Sequence, residues 1–367
     1  MACVLFLANH YATLYNFRKE LISRLIERGD RVVLSFPREV DNSFFTEMGC
    51  EFIETDFNRK GLNPISDFRL IKMYRKIIRE VTPDIIFTYT IKPNIYGALA
   101  NRNTGIRQIC NITGTGATFL KQSLLAQACK ILYRISVKHV YKVFFQNMGD
   151  RDYFIVNKMV GSNYELLPGS GCNLAEHRFS PMPPGPDLTF IFIGRVMKLK
   201  GIEEYLECAK VIHEESPFTH FLIAGWNEEE EYMNMVEEAE RIGYVQYLGY
   251  RDDLDQVVAK CHCTILCSHG GEGTPNVLLE SAAMGRICIT TNTNGAREVV
   301  EDGVTGFIYK KGDAADLINK VRELIHLTPE HRARMGVAGR KKMEKEFDRE
   351  FVIRKYLQEI DFLNNKQ

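Results

Sequence analysis

Two glutamates, Glu272 and Glu280, lie eight positions apart in the stretch Gly-Gly-Glu-Gly-Thr-Pro-Asn-Val-Leu-Leu-Glu at residues 270–280. Carboxylates accept hydrogen bonds from sugar hydroxyl groups, and a helix N-terminus attracts phosphate through its backbone N–H groups and its dipole. A helix that begins between the two glutamates would suit a diphosphate joined to a ribose on one side and a hexose on the other. The spacing therefore predicts a nucleotide-sugar site.

The residues around these glutamates predict a strand, a loop and a helix. The apolar run at 263–267 is typical of a buried strand, and the Thr-Pro pair that follows the loop is typical of an N-cap and first helical position. Glu272 would lie in the loop, where only a ligand or water constrains its carboxylate, and Glu280 about one and a half turns into the helix. The residues expected around the helix start are Gly273, Thr274, Pro275, Asn276 and Val277.

A second group of residues follows the strand pattern at 188–193. Gly194 and Arg195 come directly after this strand, and Lys200 follows five residues later. The planar guanidinium of Arg195 can clamp a phosphate and Lys200 can add a point charge, which together would neutralise a diphosphate leaving group. The alternative for the two cations is a solvated basic loop.

These motifs resemble those of the retaining glycosyltransferases of family 4, which have the two-domain GT-B fold. The match spans nearly the whole chain, and its N-terminal motifs look most like bacterial members that extend lipid-linked saccharides for capsule, O-antigen or glycoprotein glycans. The residues that carry the resemblance are Gly194-Arg195, Lys200-Gly201, Glu272–Glu280, Asn294–Val300, Gly303–Phe307, Asn111–Gly116, Phe145–Asn147 and Leu167–Gly171.

The resemblance implies a mechanism and a set of donor contacts. We expect front-face displacement with retention at the anomeric carbon, in which Arg195, Lys200 and the helix start stabilise the leaving diphosphate. Glu272 would bind the donor sugar and Glu280 the ribose, while Tyr250 and Arg251 would hold the base through their main chain. UDP is the expected nucleotide, the UDP-sugar is a substrate, and neither a cofactor nor a metal is expected.

The chain alternates strands and helices, with six strands predicted in each half. The predicted class is α/β, with two Rossmann-like, doubly wound parallel sheets and a cleft between them. We expect an acceptor-binding domain at 1–170, a Pro/Gly-rich linker, a nucleotide-sugar-binding domain at 187–348, and a C-terminal helical segment at 349–367 that crosses back to the first domain.

The acceptor is expected at loops that follow strands of the first domain. His10 is either an acid/base or hydrogen-bonding group or part of a polar surface, and Lys92 either meets an acceptor diphosphate or is an ordinary strand-end lysine. Many relatives have paired glycines where this chain has Tyr11-Ala12, and a histidine where it has Thr113, which cannot act as a base at neutral pH. The remaining residues predicted on this side are Thr13 and Asn94.

Composition supports two domains in a reducing compartment. The 367 residues are 45% hydrophobic, enough for two cores, and ten cysteines without framework spacing and without a secretory leader suggest the cytosol. Residues 1–170 hold 23 Lys and Arg against 15 Asp and Glu, a charge of +8, and the remainder has −8. The first half is therefore expected to meet an anionic partner.

The most concentrated basic segment is 121–142, which contains no acidic residue. A helix predicted over 122–139 would begin a stripe of cations at i, i+4 spacing: Lys130, Arg134, Lys138 and Lys142. We interpret it as a face that binds the anionic inner surface of a membrane without spanning it. A core helix with one solvated basic edge is the alternative, and nucleic acid is disfavoured because no aromatic pattern accompanies the charges.

Other functions fit less well. A dinucleotide-dependent dehydrogenase would need a glycine fingerprint after the first strand, which is missing. A sugar-nucleotide 2-epimerase of GT-B architecture would not need the basic stripe. A non-catalytic nucleotide-sugar-binding module would leave the glutamate pair and the cations Arg195 and Lys200 unexplained. Two metal-like motifs, Asp252–Asp255 and Cys261–Cys263, are better read as a helix start and a strand.

Overall fold

This computed structural model describes residues 1–37, 42–57, 61, 63–120 and 123–364. The first two residues of the basic segment, Lys121 and Gln122, and residues 365–367 of the predicted C-terminal segment lie outside the described residues. The chain divides into two compact units, Met1–Ser170 with Glu350–Gln367 and Gly171–Arg349. In the described ranges, no helix has both the length and the apolar character needed to cross a membrane.

The described residues of the first unit form seven strands, one more than predicted, because the three-residue edge strand is too short to give a sequence pattern. They are β1 (Cys3–Leu7), β2 (Arg31–Phe36), β3 (Glu51–Glu54), β4 (Ile85–Tyr89), β5 (Arg107–Ile112), β6 (Lys142–Phe145) and β7 (Tyr164–Leu166). All pairings are parallel, in the order β3-β2-β1-β4-β5-β6-β7.

The central strands are buried because helices cover both faces of the sheet. Along β1, Val4 and Phe6 belong to one apolar cluster and Leu5 and Leu7 to another, as alternation along a strand requires. The helices that follow the strands are α1 (Tyr11–Glu27), α2 (Ser43–Glu47), α3 (Pro64–Val81), α4 (Ile91–Asn101), α5 (Gly116–Leu120), α6 (Leu124–Ile135) and α7 (Met148–Val156).

The second unit has the six predicted strands, again all parallel. They are β8 (Leu188–Ile193), β9 (Thr219–Ala224), β10 (Gln246–Tyr247), β11 (Cys263–Leu266), β12 (Ile287–Thr291) and β13 (Gly306–Tyr309). Their order in the sheet is β10-β9-β8-β11-β12-β13. The helices are α8 (Ile202–Glu215), α9 (Glu230–Ile242), α10 (Leu254–Val258), α11 (Asn276–Ala283), α12 (Ala296–Val299), α13 (Ala314–His326) and α14 (Pro329–Lys342).

Both sheets are doubly wound, which confirms the predicted fold class. The strand order reverses direction between β1 and β4 in the first sheet and between β8 and β11 in the second. In such sheets, ligands bind outside the carboxyl ends of the strands at the reversal point. These two places are therefore where functional loops are expected.

The last helix, α15 (Arg349–Asn364), packs on the first sheet. Val352, Ile353, Tyr356 and Ile360 are buried in the apolar cluster that includes Phe6. The C-terminal segment thus completes the core of the first unit, although it follows the whole of the second unit in sequence.

The prediction of one basic stripe along a helix is wrong. The helix α6 ends at Ile135, and the amide and the hydroxyl of the next residue, Ser136, both donate to the Leu132 carbonyl. A short 3₁₀ turn follows at Val137–His139, with Val137 buried. Lys142 instead begins β6, and its amine pairs with Glu359 of α15 and, at 3.6 Å, with Glu165 of β7.

Candidate active site

The predicted catalytic residues gather at the reversal point of the second sheet. Gly194 and Arg195 follow β8, and Lys200 ends the 3₁₀ turn that leads into α8. The loop that holds Glu272 follows β11, the strand next to β8. Adjacent strand ends thus bring together two cations and a carboxylate, although the carboxylate is more than seventy residues from either cation in sequence.

Glu272 is held by protein groups as well as being accessible to a ligand. Its Oε1 accepts from Lys200 Nζ at 2.6 Å and from Ser268 Oγ at 2.7 Å, and a quarter of its side chain is exposed. The expectation that only a ligand or water would constrain this carboxylate is therefore wrong. We predicted separate roles for the two residues, Lys200 at the diphosphate and Glu272 at the donor sugar, whereas the fold places them in one ion pair.

Arg195 also has an acidic partner. Its Nη1 lies 3.3 Å from Oε1 of Glu228, and both side chains are partly exposed. Glu228 belongs to the loop between β9 and α9, and β9 is a neighbour of β8 in the sheet. A diphosphate at this place would therefore exchange carboxylate contacts for phosphate contacts, which bind the guanidinium fork equally well.

The Glu272 loop is fixed by a buried His–Glu contact. His269 Nε2 lies 2.6 Å from Oε1 of Glu204 in the first turn of α8, and the His269 amide donates to the Leu199 carbonyl. Glu204 is largely buried. The loop is thereby tied to the turn that carries Lys200, which keeps the ion pair in register.

Glycines permit the close approach of three loops. Gly201 has φ 72°, and a Cβ there would lie 2.2 Å from the Cys267 carbonyl oxygen. Gly295 has φ 79°, and a Cβ there would lie 1.6 Å from the Gly273 carbonyl oxygen. Only glycine fits either position, because both the backbone conformation and the space exclude a side chain.

The helix after the loop begins one residue later than predicted. The first helical residue of α11 is Asn276, with Pro275 at the N-cap, and neither Thr274 nor Pro275 is in the helix. Gly273, Thr274 and Pro275 are buried, whereas Asn276 and Val277 are partly exposed. The first amides of a helix have no partner within it, so the phosphate site is expected at Asn276 and Val277.

Glu280 lies in the second turn of α11 beside His177. The His177 Nε2 is 3.9 Å from Glu280 Oε1, and its Nδ1 is 3.0 Å from both carboxylate oxygens of Asp255 in α10. The imidazole thus stands between two carboxylates. Neither His177 nor this role for Asp255 follows from sequence pattern, because the residues come from three separate segments.

The electrostatics of this group favour a charged imidazole. Burial opposes protonation of His177, but the hydrogen bond with Asp255 and the charge of Glu280 outweigh it, so the pKa of His177 is raised above its ordinary value of 6.5. Burial raises the pKa of Glu280, and His177 partly offsets that effect. His177 therefore supports the ionised form of Glu280.

A cavity of about 280 Å³ adjoins Arg195 and Lys200. Trp226 and Tyr250 line it from the ends of β9 and β10, with ring centroids 5.9 Å apart, and their side chains are 50% and 64% exposed. Arg251 also lines the cavity and forms a two-point ion pair with Asp253. Trp226 is a residue that the sequence reasoning missed, although it is the only tryptophan and directly follows a predicted strand.

The acceptor-side residues of the first unit are mostly engaged in structure. His10 caps α1, because its Nδ1 accepts from the Ala12 amide at 2.9 Å. Tyr11 begins α1 with its ring stacked on Tyr15, and the Thr13 hydroxyl lies 3.5 Å from Asn9 Oδ1. The chain thus uses a helix start where relatives are expected to use paired glycines.

Lys92 and Asn94, predicted in a loop after β4, lie instead in the buried first turn of α4, and the residue before this helix, Thr90, is strained. Lys92 is 7% exposed and its Nζ lies 2.9 Å from Asp67 Oδ1, so a ligand would have to compete with a buried ion pair. Asn94 is buried between the Thr88 hydroxyl and the Asn111 carbonyl. Thr90 has φ 70°, an unusual conformation for a β-branched residue.

Thr113 follows β5 and is partly exposed. The end of β5 lies next to the end of β4, since the two strands are paired, and Thr113 is therefore on the same side of the sheet as the start of α4. The predicted acceptor residues His10, Lys92 and Thr113 therefore share the carboxyl edge of the first sheet, as parallel strands require.

The two metal-like motifs serve other contacts. His262 Nδ1 accepts from the Thr189 amide, and Cys261 and Cys263 are buried. Asp253 precedes α10, as expected for a helix start, and Asp255 contacts His177. Within the described ranges, no three His, Cys, Asp or Glu side chains form a group that could hold a metal ion.

Comparison with known proteins agrees with this geometry. Residues 175–342 match the family model of glycosyl transferases group 1, and residues 3–147 match that of glycosyl transferase 4-like proteins. The N,N'-diacetylbacillosaminyl-diphospho-undecaprenol alpha-1,3-N-acetylgalactosaminyltransferase of Campylobacter jejuni is 23% identical over 376 residues, 97% of each chain. The UDP-Gal:alpha-D-GlcNAc-diphosphoundecaprenol alpha-1,3-galactosyltransferase of Escherichia coli is 25% identical over 71% of each chain.

Solved structures share the fold. A glycosyltransferase from Rickettsia africae superimposes with a TM-score of 0.83 at 17% identity, covering 100% of this chain and 99% of that one. Anabaena Alr3699/HepE in complex with UDP-glucose gives a TM-score of 0.79 at 16% identity, covering 98% and 100%. The two parallel sheets, the strand-end residues and the two matching families together show that this chain belongs to the glycosyltransferases of GT-B fold.

Proposed function

We propose that this glycosyltransferase moves a hexose or N-acetylhexosamine from a UDP-sugar to a saccharide linked to a polyprenyl diphosphate. The observation that carries the proposal is the group formed by Arg195, Lys200 and Glu272 beside the start of α11, at the reversal point of the second sheet. It offers two cations for a diphosphate and a carboxylate for sugar hydroxyls in one place. The Campylobacter and Escherichia coli relatives, named for diphospho-undecaprenol-linked acceptors, support the acceptor class.

The reaction proceeds by front-face displacement with retention at the anomeric carbon. Arg195, Lys200 and the amides of Asn276 and Val277 stabilise the charge that grows on the leaving UDP. The departing phosphate oxygen takes the acceptor proton on the same face, so that no protein base is needed. Glu272 orients the donor sugar.

The nucleoside part of the donor binds between α11 and the cavity at β9. Glu280 accepts from the ribose hydroxyls, and the imidazolium of His177, which Asp255 holds, favours its ionised form. Tyr250 and Arg251 contact the base through their main chain, and the exposed ring of Trp226 stacks on it. No cofactor or metal takes part, because the cations of the protein neutralise the diphosphate.

The acceptor is bound by the carboxyl edge of the first sheet, through His10, Tyr11, Thr13, Asn94 and Thr113. Lys92 joins this group only where an acceptor phosphate replaces Asp67 as its partner. The enzyme works at the inner face of the membrane as a peripheral protein. The anionic surface is met by Lys130, Arg134 and Lys138, and Lys142 is excluded because it pairs with Glu359.

A donor screen tests the proposal. Purified protein is incubated with detergent-solubilised polyprenyl-diphosphate saccharides, EDTA and a panel of radiolabelled UDP- and GDP-sugars. We expect label to enter the lipid fraction from one UDP-sugar in the presence of EDTA, and to be lost in Glu272→Gln and Arg195→Ala.

Two results would contradict it. A UDP-sugar that is converted to its C2 epimer without any acceptor would identify an epimerase. Binding of UDP-sugar with neither transfer nor epimerisation from any donor would identify a nucleotide-sugar-binding module. Transfer that stops when EDTA is added would overturn the metal-independent reaction alone.

A further inference from the structure

One flank of the first unit carries no negative charge in sequence. Between Asp84 and Asp150 the chain has 65 residues without Asp or Glu and with eight Lys and Arg. This segment includes β4, β5 and β6 with α4, α5 and α6. Two of these cations have acidic partners from other segments, Lys92 with Asp67 and Lys142 with Glu359, and the positive charge that remains attracts anions and anionic surfaces.

The helix α6 on this flank exposes apolar side chains. Leu124, Ile131 and Ile135 are 84%, 56% and 46% exposed and lie at i, i+7 and i+11, which places them on one side of the helix. Cys129 and Tyr133, on the other side, are buried. Exposed large aliphatic side chains in one row are typical of a surface that contacts another apolar phase.

A cavity of about 480 Å³ opens at the C-terminal end of this row. Ile135 lines it, together with the basic side chains Arg102, Arg107 and His139. Among the residues that the structure describes, no acidic side chain lines the cavity. It is therefore suited to an anion that is attached to, or lies next to, an apolar surface.

Arg107 gives this cavity its specificity. Its guanidinium carbon lies 4.8 Å from the ring centre of Tyr141 and 4.9 Å from that of Phe362, so the group has cation–π contacts with two aromatic rings. Its Nη1 is buried and has no hydrogen-bond partner in the described residues. A buried N–H group without an acceptor is costly, and a phosphate oxygen in the cavity would satisfy it.

We propose that the cavity binds the phosphate of an anionic phospholipid while the exposed side of α6 enters the membrane interface. Charge selects the anionic headgroup, and the continuity of the cavity with the apolar row through Ile135 selects a lipid over a soluble phosphate. Combining an apolar face with a basic site is what stable attachment of a peripheral protein requires.

The proposed lipid site is separate from the acceptor loops. Arg107 begins β5 and Tyr141 precedes β6, so the cavity lies at the amino edge of the first sheet, whereas His10 and Thr113 lie at its carboxyl edge. The lipid would therefore not compete with the acceptor. This inference gives a site to the membrane attachment in the proposed function, but its failure would leave transfer to a detergent-solubilised acceptor unchanged.

Flotation with vesicles tests the proposal. The full chain is mixed with phosphatidylcholine vesicles or with vesicles of equal parts phosphatidylcholine and phosphatidylglycerol. We expect binding to the anionic vesicles only, weakened about fivefold by Arg107→Gln or Arg102→Gln. The Ile131→Ser and Ile135→Ser pair should weaken it about tenfold or more.

Matched controls come from α3 of the same unit. Ile65 is 69% exposed and Arg75 is exposed, so Ile65→Ser and Arg75→Gln remove an apolar and a basic group away from the cavity. Both should bind vesicles like the wild type. Because Arg102 is exposed, its variant tests the cavity even if Arg107→Gln disturbs folding.

Three results would overturn the proposal. The first is equal binding to neutral and anionic vesicles, and the second is unchanged binding by the Arg102 and Arg107 variants. The third is stabilisation of the wild type, but not of Arg107→Gln, by glycerol phosphate without any vesicle binding. That last result would identify a site for a soluble phosphate.

Discussion

Lys200 Nζ lies 2.6 Å from Glu272 Oε1, so the cation proposed for the leaving diphosphate and the carboxylate proposed for the donor sugar are already paired with each other. Both side chains are at least three-quarters buried, which limits screening by water. A bound diphosphate would therefore share or replace this contact. In the proposed function, the pair would link the two halves of the donor through one hydrogen bond.

Replacing Lys200 with Met should lower kcat/KM for transfer by about 10²–10³, because one preformed donor to the transition-state charge is lost. The measurement is radiolabel transfer to the lipid-linked acceptor. Lys198→Met is the control, since Lys198 lies in the same turn but is exposed and pairs with Glu203. Equal losses in both variants would assign the effect to the turn and not to the amine.

Trp226 provides a direct test of the base site. It is the only tryptophan in the chain, so quenching of the intrinsic tryptophan emission by UDP would report occupancy of the cavity it lines. Trp226→Ala should raise the KM for the donor about tenfold or more, given about 1–3 kcal/mol for stacking on a base. Phe218→Ala is the control, because Phe218 is equally exposed but precedes β9 at its opposite end. Quenching in the wild type together with an unchanged donor KM in Trp226→Ala would argue against stacking of the base on Trp226.

The sequence predicts the strand ends better than the contacts between them. Arg195, Lys200 and Glu272 could be placed because each directly follows or closely trails an apolar strand pattern, and parallel strands end at one edge. The pairing of Lys200 with Glu272 could not, since it depends on which strands are neighbours. The reversal of strand order between β8 and β11 leaves no local signal in the chain.

The predicted basic stripe fails because cations at helical spacing do not all lie on one helix. The helix α6 ends at Ile135, the Ser136 amide and hydroxyl both donate to the Leu132 carbonyl, and Val137 is buried in the short turn that follows. Spacing alone does not show where a helix ends. Lys142 begins β6, as the strand pattern at 142–146 predicts, and it pairs with Glu359, a residue more than two hundred positions away.

His177 should make stability depend on pH. Its pKa is higher in the folded chain than the ordinary 6.5, so its stabilising contribution is complete below pH 6.5 and is lost as the pH rises through the raised value. Glu280, whose pKa is raised by burial, acts in the same direction at lower pH. The free energy of unfolding, measured with urea, should therefore fall above pH 6.5 in the wild type and less steeply in His177→Gln.

His220→Gln is the control for this titration, because His220 lies on the same unit and is more than half exposed. Its profile should follow that of the wild type. Donor affinity provides a second readout, since loss of His177 leaves Glu280 facing Asp255 without the intervening cation. If the free energy of unfolding of His177→Gln depends on pH as that of the wild type does, the imidazole does not influence the ionisation of Glu280.

Gly295 should be needed for activity more than for folding. A Cβ at Gly295 would lie 1.6 Å from the Gly273 carbonyl, so Gly295→Ala must displace the loop that holds Glu272. Gly303 has a similar φ of 74° with nothing within 4 Å of its Cβ position, and Gly303→Ala therefore carries only the backbone cost of about 1 kcal/mol. We expect transfer to be lost in the first variant and kept in the second. Similar activity in both would show that the two loops can move apart without harm.

Lys92 and Asp67 form a buried pair, and variants of the pair can distinguish the two hypotheses for Lys92, that it is structural or that it binds an acceptor phosphate. Their side chains are 8% and 9% exposed, so removing either partner leaves an uncompensated buried charge, and Lys92→Met or Asp67→Asn should lower the unfolding free energy by about 3–5 kcal/mol. Combining Lys92→Met with Asp67→Leu should restore most of it. Lys76→Met, which breaks the exposed pair with Glu80 on the same helix as Asp67, should cost about 0.5 kcal/mol or less.

Urea unfolding and transfer assays on the same variants separate structure from acceptor binding. If the pair is structural, the double variant with Met and Leu regains both stability and transfer. If Lys92 binds the acceptor phosphate, the double variant regains stability but shows a raised KM for the lipid-linked acceptor and an unchanged KM for the donor. That second outcome would mean that the acceptor displaces Asp67 as the partner of Lys92, in the first turn of α4 directly after the strained Thr90.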